Sequence, residues 1–163
     1  MTEIHVDADA CPVRDEVVRV ADRLGLTVYL VSNGSRPIRP PDRPNVRLIM
    51  VGAGSDAADD WIAEHIGADD VCVTADIPLA ARCLAKGARA LAPNGKHWTQ
   101  DNIGNALAGR ALAQHLRELG MTTGGPPPFS KADRSRFLGA LDQAVQAARR
   151  IAGVRDATKG GAP

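Results

Sequence analysis

Ile4-His5-Val6-Asp7-Ala8-Asp9-Ala10-Cys11-Pro12 runs an apolar β-segment straight into two carboxylates and then into a proline. Proline suits the first turn of a helix, where its missing N–H is not needed. Beyond it Val17, Val18, Val20, Ala21 and Leu24 recur at helical spacing up to Gly25, a residue type that ends helices. A second apolar β-segment, residues 27–31, follows at once. A strand, a helix and a strand joined by such short returns give parallel neighbours. Asp7 and Asp9 then stand at the carboxyl end of a buried parallel strand, which is where open α/β sheets bind ligands.

The same alternation continues along the chain. Strands are expected over 4–8, 27–31, 46–51, 70–74 and 88–92, with helices between most of them. Ser55 can cap a helix that Gly67 closes, and Asp76 can cap another that carries Leu79, Ala80, Cys83 and Leu84 to Gly87. Residues 101–119 read as a helix with Ile103, Leu107, Leu112 and Leu116 inward, stopped by Gly120. Gly124-Gly125-Pro126-Pro127-Pro128 excludes helix and strand. Ser130-Lys131-Ala132-Asp133 has the form of a capping box and starts a last helix with Phe137, Leu138, Leu141, Val145 and Ala148 on one side. The expectation is a single three-layer α/β/α domain over residues 1–152, built on a mainly parallel five-stranded sheet with added C-terminal helices. Residues 153–163, small and charged with nothing to pack, are expected to form a disordered tail.

Composition limits the function. In a chain of 163 residues, 20 basic and 19 acidic side chains nearly cancel at +1, so any nucleic-acid contact must be a local patch. Cys11, Cys72 and Cys83 have no CxxC spacing and are odd in number, so neither a zinc knuckle nor a disulfide framework is expected, and a reducing cytoplasm is the setting. Residues 1–5 lack the basic and apolar regions of a secretion signal, and no apolar run approaches the ~18 residues of a membrane span. His5, His65, His97 and His115 show no ligand spacing, and His65 lies on an apolar face. Cys11 sits at a helix start, which lowers a thiol pKa, but beside carboxylates, which raise it, so no nucleophile is assigned.

Acids gather at two further strand-to-helix crossings, Asp56-Ala57-Ala58-Asp59-Asp60 and Thr74-Ala75-Asp76-Ile77-Pro78. Aspartate is a good N-cap, so Asp76 or Asp9 taken singly needs no other role. Capping uses one acid per helix, however, and does not account for Asp7 two residues from Asp9 on the same side of a strand. Two carboxylates about 4 Å apart repel by roughly 4 kcal/mol at a protein-like dielectric, a cost that a bound cation removes. Clustered aspartates therefore point to a hard cation, Mg²⁺ or Mn²⁺, as one ion or two. At about 100° per residue, Ala58, Trp61, Ile62, His65 and Ile66 form an apolar stripe, Asp60 lies opposite it and Asp59 borders it. Asp56 and Asp59 are the candidates of this segment, against the simpler reading of three acids complementing a helix dipole.

The run Asp7-Ala8-Asp9-Ala10-Cys11-Pro12-Val13 closely resembles the YaiI/YqxD family of bacterial proteins. So do Asp56-Ala57-Ala58-Asp59, Thr74-Ala75-Asp76-Ile77-Pro78-Leu79-Ala80, Asp101-Asn102-Ile103, Gly124-Gly125-Pro126, Asp133-Arg134 and Leu141-Asp142, which cover nearly the whole chain short of the tail. That family resembles the PIN and NYN nuclease domains, whose metal-binding acids lie at corresponding strand ends. The resemblance implies a PIN-like strand order of about 3-2-1-4-5, with the strands ending at Asp7 and near Asp76 side by side. It implies Asp7 and Asp76 as metal ligands, with Asp9 and either Asp56 or Asp59 completing the set directly or through water. The reaction it implies is metal-assisted hydrolysis of phosphodiester bonds, RNA favoured. Where the family pattern has an Asn-Pro-Arg-Gly turn after the fifth strand, this chain has Ala92-Pro93-Asn94-Gly95, with Lys96 adjacent.

A nuclease must also hold the strand it cuts. Residues 32–44 form a loop with Arg36, Arg39 and Arg43 that leaves the second strand at its carboxyl end, either a phosphate grip or an ordinary solvated, proline-rich connection. Lys131, Arg134 and Arg136 open the last helix as a second patch. Aromatic residues make up 3% of the chain, too few for a base-stacking platform, so recognition of the phosphate backbone is expected. Trp61 and Trp98 are expected to be packing residues. Two other classes start from the same acids. A haloacid-dehalogenase-type phosphatase would use Asp7 as nucleophile and Asp9 as acid/base, but Cys11 stands where Thr or Val is usual and no late acidic signature follows. A non-catalytic PIN-like module would bind RNA or a protein and cut nothing.

Overall fold

β1 (Glu3–Asp7) lies inside the sheet, because β2 (Thr27–Ser32) pairs with one of its edges and β4 (Val71–Val73) with the other, both parallel. β3 (Val46–Met50) extends the sheet beyond β2, and β5 (Arg89–Leu91) extends it beyond β4, again parallel. β6 (His97–Trp98) returns antiparallel on β5, giving the order β3-β2-β1-β4-β5-β6. The computed structural model describes residues 1–35, 37–39, 42–54, 56–121 and 129–160. The expected parallel order is present, but the sheet has six strands where five were expected. The extra strand is two residues long, too short to leave a periodic signal in the sequence.

Five helices are found among the described residues: α1 (Arg14–Leu24), α2 (Ala57–His65), α3 (Ile77–Ala85), α4 (Gln100–Glu118) and α5 (Lys131–Gly160). Gly25, at φ 69°, closes α1 in the left-handed conformation that a side chain resists, and its N–H bonds Ala21 O. Alternate strand residues feed two main cores, with Ala90 of β5 joining Ala80 and Ile103 in a third, smaller one. Ile4, Val6, Val28, Leu30, Val71, Val73 and Leu91 pack with the apolar stripe of α1 and with Phe137, Leu141, Val145 and Ala148 of α5. Val31 and Cys72 pack instead with Ala58 and Ile62 of α2 and with Leu79 and Cys83 of α3. Burying strands on both faces this way is what makes their sequences continuously apolar.

Two helices differ from expectation. α4 starts at a capping box in which Thr99 Oγ1 accepts from Asn102 N and Asn102 Oδ1 accepts from Thr99 N. Its Ile103 is buried, but Leu112, expected inward, is 59% exposed, because only the first turns of α4 lie against α3 and β5. α5 runs through Gly153 to Gly160, where a structureless tail was expected from residue 153, and its Arg155 pairs with Asp69 at 2.6 Å. The proposed Ser55 cap and the stretch 124–128 lie outside the described residues. Cys11, Cys72 and Cys83 are free and buried. No helix among the described residues is long and apolar enough to cross a membrane.

Candidate functional site

The carboxyl end of the sheet gathers the acids from three crossings. Asp7 is the last residue of β1 and is half-buried. The chain then leaves the strand through a single 3-10 turn, Ala8–Ala10, so Asp9 does not share a strand face with Asp7 as expected. Asp9 instead reaches sideways to the exit of β2, where Ser32 Oγ donates to its Oδ1 at 2.6 Å and Asn33 N to its Oδ2 at 2.9 Å. The turn, invisible to strand periodicity, converts a second strand carboxylate into a clamp on the following loop.

The β1–β4 pairing sets Val6 beside Val73, so Asp7 and Thr74 leave the sheet together. Thr74 Oγ1 accepts from Asp76 N at 2.9 Å and donates to Asp7 Oδ2 at 3.1 Å. Asp76 caps α3, its Oδ1 accepting from Leu79 N at 2.9 Å, which occupies one carboxylate oxygen. Asp56 stands at the N-cap of α2 without a side-chain cap bond and is exposed, while Asp59 one turn on is half-buried. Asp60 faces solvent and pairs with Arg82 at 2.8 Å.

These carboxylates act on one another. Burial pushes the Asp59 carboxyl up to about 7, and Asp76, Asp7 and Asp56 add repulsion that Arg82 only partly offsets. Asp7 is likewise raised, first by burial and then by Asp9 and Asp76, against the lowering bond from Thr74. Among the described residues no group of three or more His, Cys, Asp and Glu is arranged to hold a metal ion. Burial pushes the Cys11 thiol up to about 12, so it is no nucleophile at neutral pH.

The basic residues divide. Arg36 lies outside the described residues, and Arg39 is exposed. Arg43 pairs with Asp22 near the end of α1 at 2.7 Å, and its carbonyl accepts from Val46, the first residue of β3. The loop must return to the amino end of the sheet to start a parallel strand, and Arg43 is carried away from the acids with it. Lys96 is exposed, with Nζ 4.8 Å from the Trp98 ring centre. Arg134 donates to Pro12 O and to Glu16 Oε1, both at 3.0 Å, and so ties α5 to the start of α1. Arg136 pairs with Asp133, and Lys131 is exposed. Sequence reasoning missed Ser32 and Asn33, whose only signal was a polar pair directly after a strand. It also missed Arg14, which lines a cleft of about 520 Å³ with Ala8, Asp9, Cys11, Pro12, Pro37 and Ile38.

Comparison with known proteins gives a consistent result. The family model described as "Uncharacterized BCR, YaiI/YqxD family" matches residues 5–147. A UPF0178 protein of Parvibaculum lavamentivorans is 59% identical over 150 residues, 92% of this chain and 97% of the relative. UPF0178 proteins of Rhodospirillum rubrum, 55% identical over 91% of this chain and 98% of theirs, and of Paramagnetospirillum magneticum, 56% identical over 93% and 99%, match equally fully. No solved structure matches the chain.

Proposed function

Because the chain belongs to the YaiI/YqxD family, we propose that it is a metal-dependent nuclease of PIN-like, three-layer arrangement that hydrolyses phosphodiester bonds, with RNA the favoured substrate. The observation that carries this reading is the mutual repulsion of half-buried Asp7 and Asp59 with Asp76, from three separate crossings at one end of the sheet. Such an arrangement is costly in the chain alone, and a hard cation relieves it. Asp7 and Asp76 are the ligands of choice, with Asp9, Asp56 and Asp59 reached directly or through water. Mg²⁺ commonly takes only one or two protein carboxylates and completes its shell with water and phosphate oxygens, so a three-carboxylate cage is not required. When bound, Mg²⁺ or Mn²⁺ would lower the pKa of a water and stabilise charge on the scissile phosphate.

The protein's own groups have separable tasks. Thr74 and the Leu79 N–H fix the carboxylates of Asp7 and Asp76. Asp59, half-buried one turn into α2 beside these carboxylates, is the group we assign to take a proton from an attacking water. Lys96 and Lys131 are exposed cations available to the phosphate backbone. Both oxygens of Asp9 accept hydrogen bonds, which argues against its serving as the acid/base of a dehalogenase-type phosphatase.

The test is incubation with labelled single- and double-stranded RNA and DNA in Mn²⁺, Mg²⁺ or EDTA, beside Asp7→Asn and Asp76→Asn. Metal-dependent cleavage that is lost in both folded variants is expected, fastest on RNA. No cleavage in any condition, with metal binding measured separately, would replace the nuclease by a binding module.

A further inference from the structure

We infer that the cleft beside Asp9 holds one nucleotide of a single-stranded substrate, with Arg14 gripping its phosphate. This assignment deepens the nuclease reading and rests on it. Ala8, Asp9, Cys11 and Pro12 of the β1–α1 crossing form one wall, Pro37 and Ile38 of the loop after β2 form the other, and Arg14 of the first turn of α1 completes the lining. At about 520 Å³ the cleft falls in the range of about 300–1,000 Å³ that accepts small-molecule-sized ligands, enough for a nucleotide unit and too small for a duplex. Asp9 belongs to both the cleft and the acid cluster, so a strand seated in the cleft leads directly to the carboxylates.

The lining has the chemistry of a phosphodiester chain read without base identity. Most of it is apolar, none of it is aromatic, and among the described residues Arg14 is the cation it presents. The other arginines nearest the acids are already used, Arg82 on Asp60 and Arg134 on Glu16, whereas the Arg14 side chain has no ion pair or hydrogen bond among the described residues. A guanidinium matches phosphate oxygens in a bidentate way. Asp9 also fixes the start of the loop that carries the far wall, through Ser32 and Asn33, with Gly34 N donating in turn to Ser32 Oγ at 3.1 Å, and Ile38 of that wall packs on the core. Asp9 is thus a positioning residue for this cleft.

The experiment is fluorescence anisotropy of labelled ten-nucleotide single strands and the matching duplex, in EDTA and again in Ca²⁺, with cleavage in Mn²⁺ read in parallel. The variants are Arg14→Ala, Arg14→Lys and Ile38→Trp, the last filling the cleft without touching a charge, each checked by thermal melting. Arg14→Ala is expected to weaken single-strand binding about tenfold for every base composition and to reduce the salt slope by about one phosphate contact, with Arg14→Lys intermediate. Ile38→Trp is expected to weaken it at least as much, and the duplex to bind worse than the single strand. Binding within twofold of wild type in folded Arg14→Ala and Ile38→Trp, or no binding by wild type in either buffer, overturns the cleft. Arg14-dependent binding with no cleavage overturns the nuclease reading alone, and cleavage unaffected by all three variants overturns the cleft alone.

Discussion

The Thr74 hydroxyl donates to Asp7 Oδ2 across the β1–β4 pair at 3.1 Å. An ionised carboxylate can only accept, so the Thr74 hydroxyl gives its proton to Asp7 while its oxygen accepts from Asp76 N at 2.9 Å. One side chain of 1% exposure thereby sets the carboxylate at the end of β1 and the backbone of the residue that caps α3.

Thr74→Val keeps the shape and removes both bonds. The half-buried Asp76 N–H and Asp7 Oδ2 then lose partners, which should cost about 1–3 kcal/mol in urea unfolding. Orienting partners of metal ligands are typically worth about 10–100-fold in affinity, so Mn²⁺ binding by calorimetry should weaken by that order, with Thr74→Ser retaining most of it. A valine variant with unchanged Mn²⁺ affinity would show that Asp7 needs no such support.

Asp59→Asn should stabilise the metal-free protein, and only where the carboxyl is ionised. Its folded pKa of about 7 lies above the ordinary 3.8 of an aspartate, so the folded state holds the proton more tightly than the unfolded chain. The penalty is therefore absent below about pH 4, grows as pH rises and is complete above 7. Discounted for the solvent that screens a half-exposed group, the gain at pH 8 is about 1 kcal/mol, or roughly 2–4 °C in Tm. Melting in EDTA at pH 4, 6 and 8 checks it; an equal gain at every pH would assign the effect to packing and not to charge.

The parts of this molecule that were legible in the sequence are those fixed by neighbours in the chain. Pro12 and Gly25 bracket α1, and Phe137, Leu141, Val145 and Ala148 all prove buried, because helix periodicity and cap chemistry are local. The parallel pairing of β1 with β2 followed from short returns, whereas the central place of β1 was what the family resemblance implied. What escaped depends on tertiary contact. The 3-10 turn that swings Asp9 to Ser32 has no periodic signature, Leu112 reads as core until α4 outruns the surface it packs on, and Arg43 reads as a partner of the acids until its loop has to reach the amino end of β3. Asp59 and Asp60 show the opposite case: helical angle alone separated the half-buried acid from the exposed one.

His5 should make the protein acid-sensitive. It is 1% exposed, its Nδ1 has no partner among the described residues, and its ring stacks on Tyr29 at 5.1 Å with Trp61 at 6.0 Å. Burial lowers its pKa to about 4, Glu3 opposing and His65 adding to the shift. The unfolded chain therefore binds a proton that the folded one refuses between about 6.5 and 4, so stability is complete above 6.5 and falls as pH drops through that window, by up to about 3 kcal/mol. His5→Phe keeps the stack and deletes the titration. Urea midpoints of variant and wild type should converge or cross on acidification from pH 7 to 4, whereas parallel curves would clear His5 of the effect.

Gly95→Ala tests how the β5–β6 turn is seated. Gly95 has φ 92°, and a Cβ built on it would stand 2.9 Å from the carbonyl carbon of Arg136 and 3.0 Å from its oxygen, in the first turns of α5. The substitution thus combines backbone strain with a clash against main chain that cannot rotate away, together about 2–4 kcal/mol. Gly25→Ala is the matched control, since Gly25 also has positive φ, 69°, but a Cβ there meets nothing within 4 Å. It should lose only the strain, about 1 kcal/mol. The difference between the two urea-unfolding free energies isolates the contact between the turn and α5, and with it the support for Lys96 next door. Equal losses would mean that the turn stands clear of α5 and gives Lys96 no support from it.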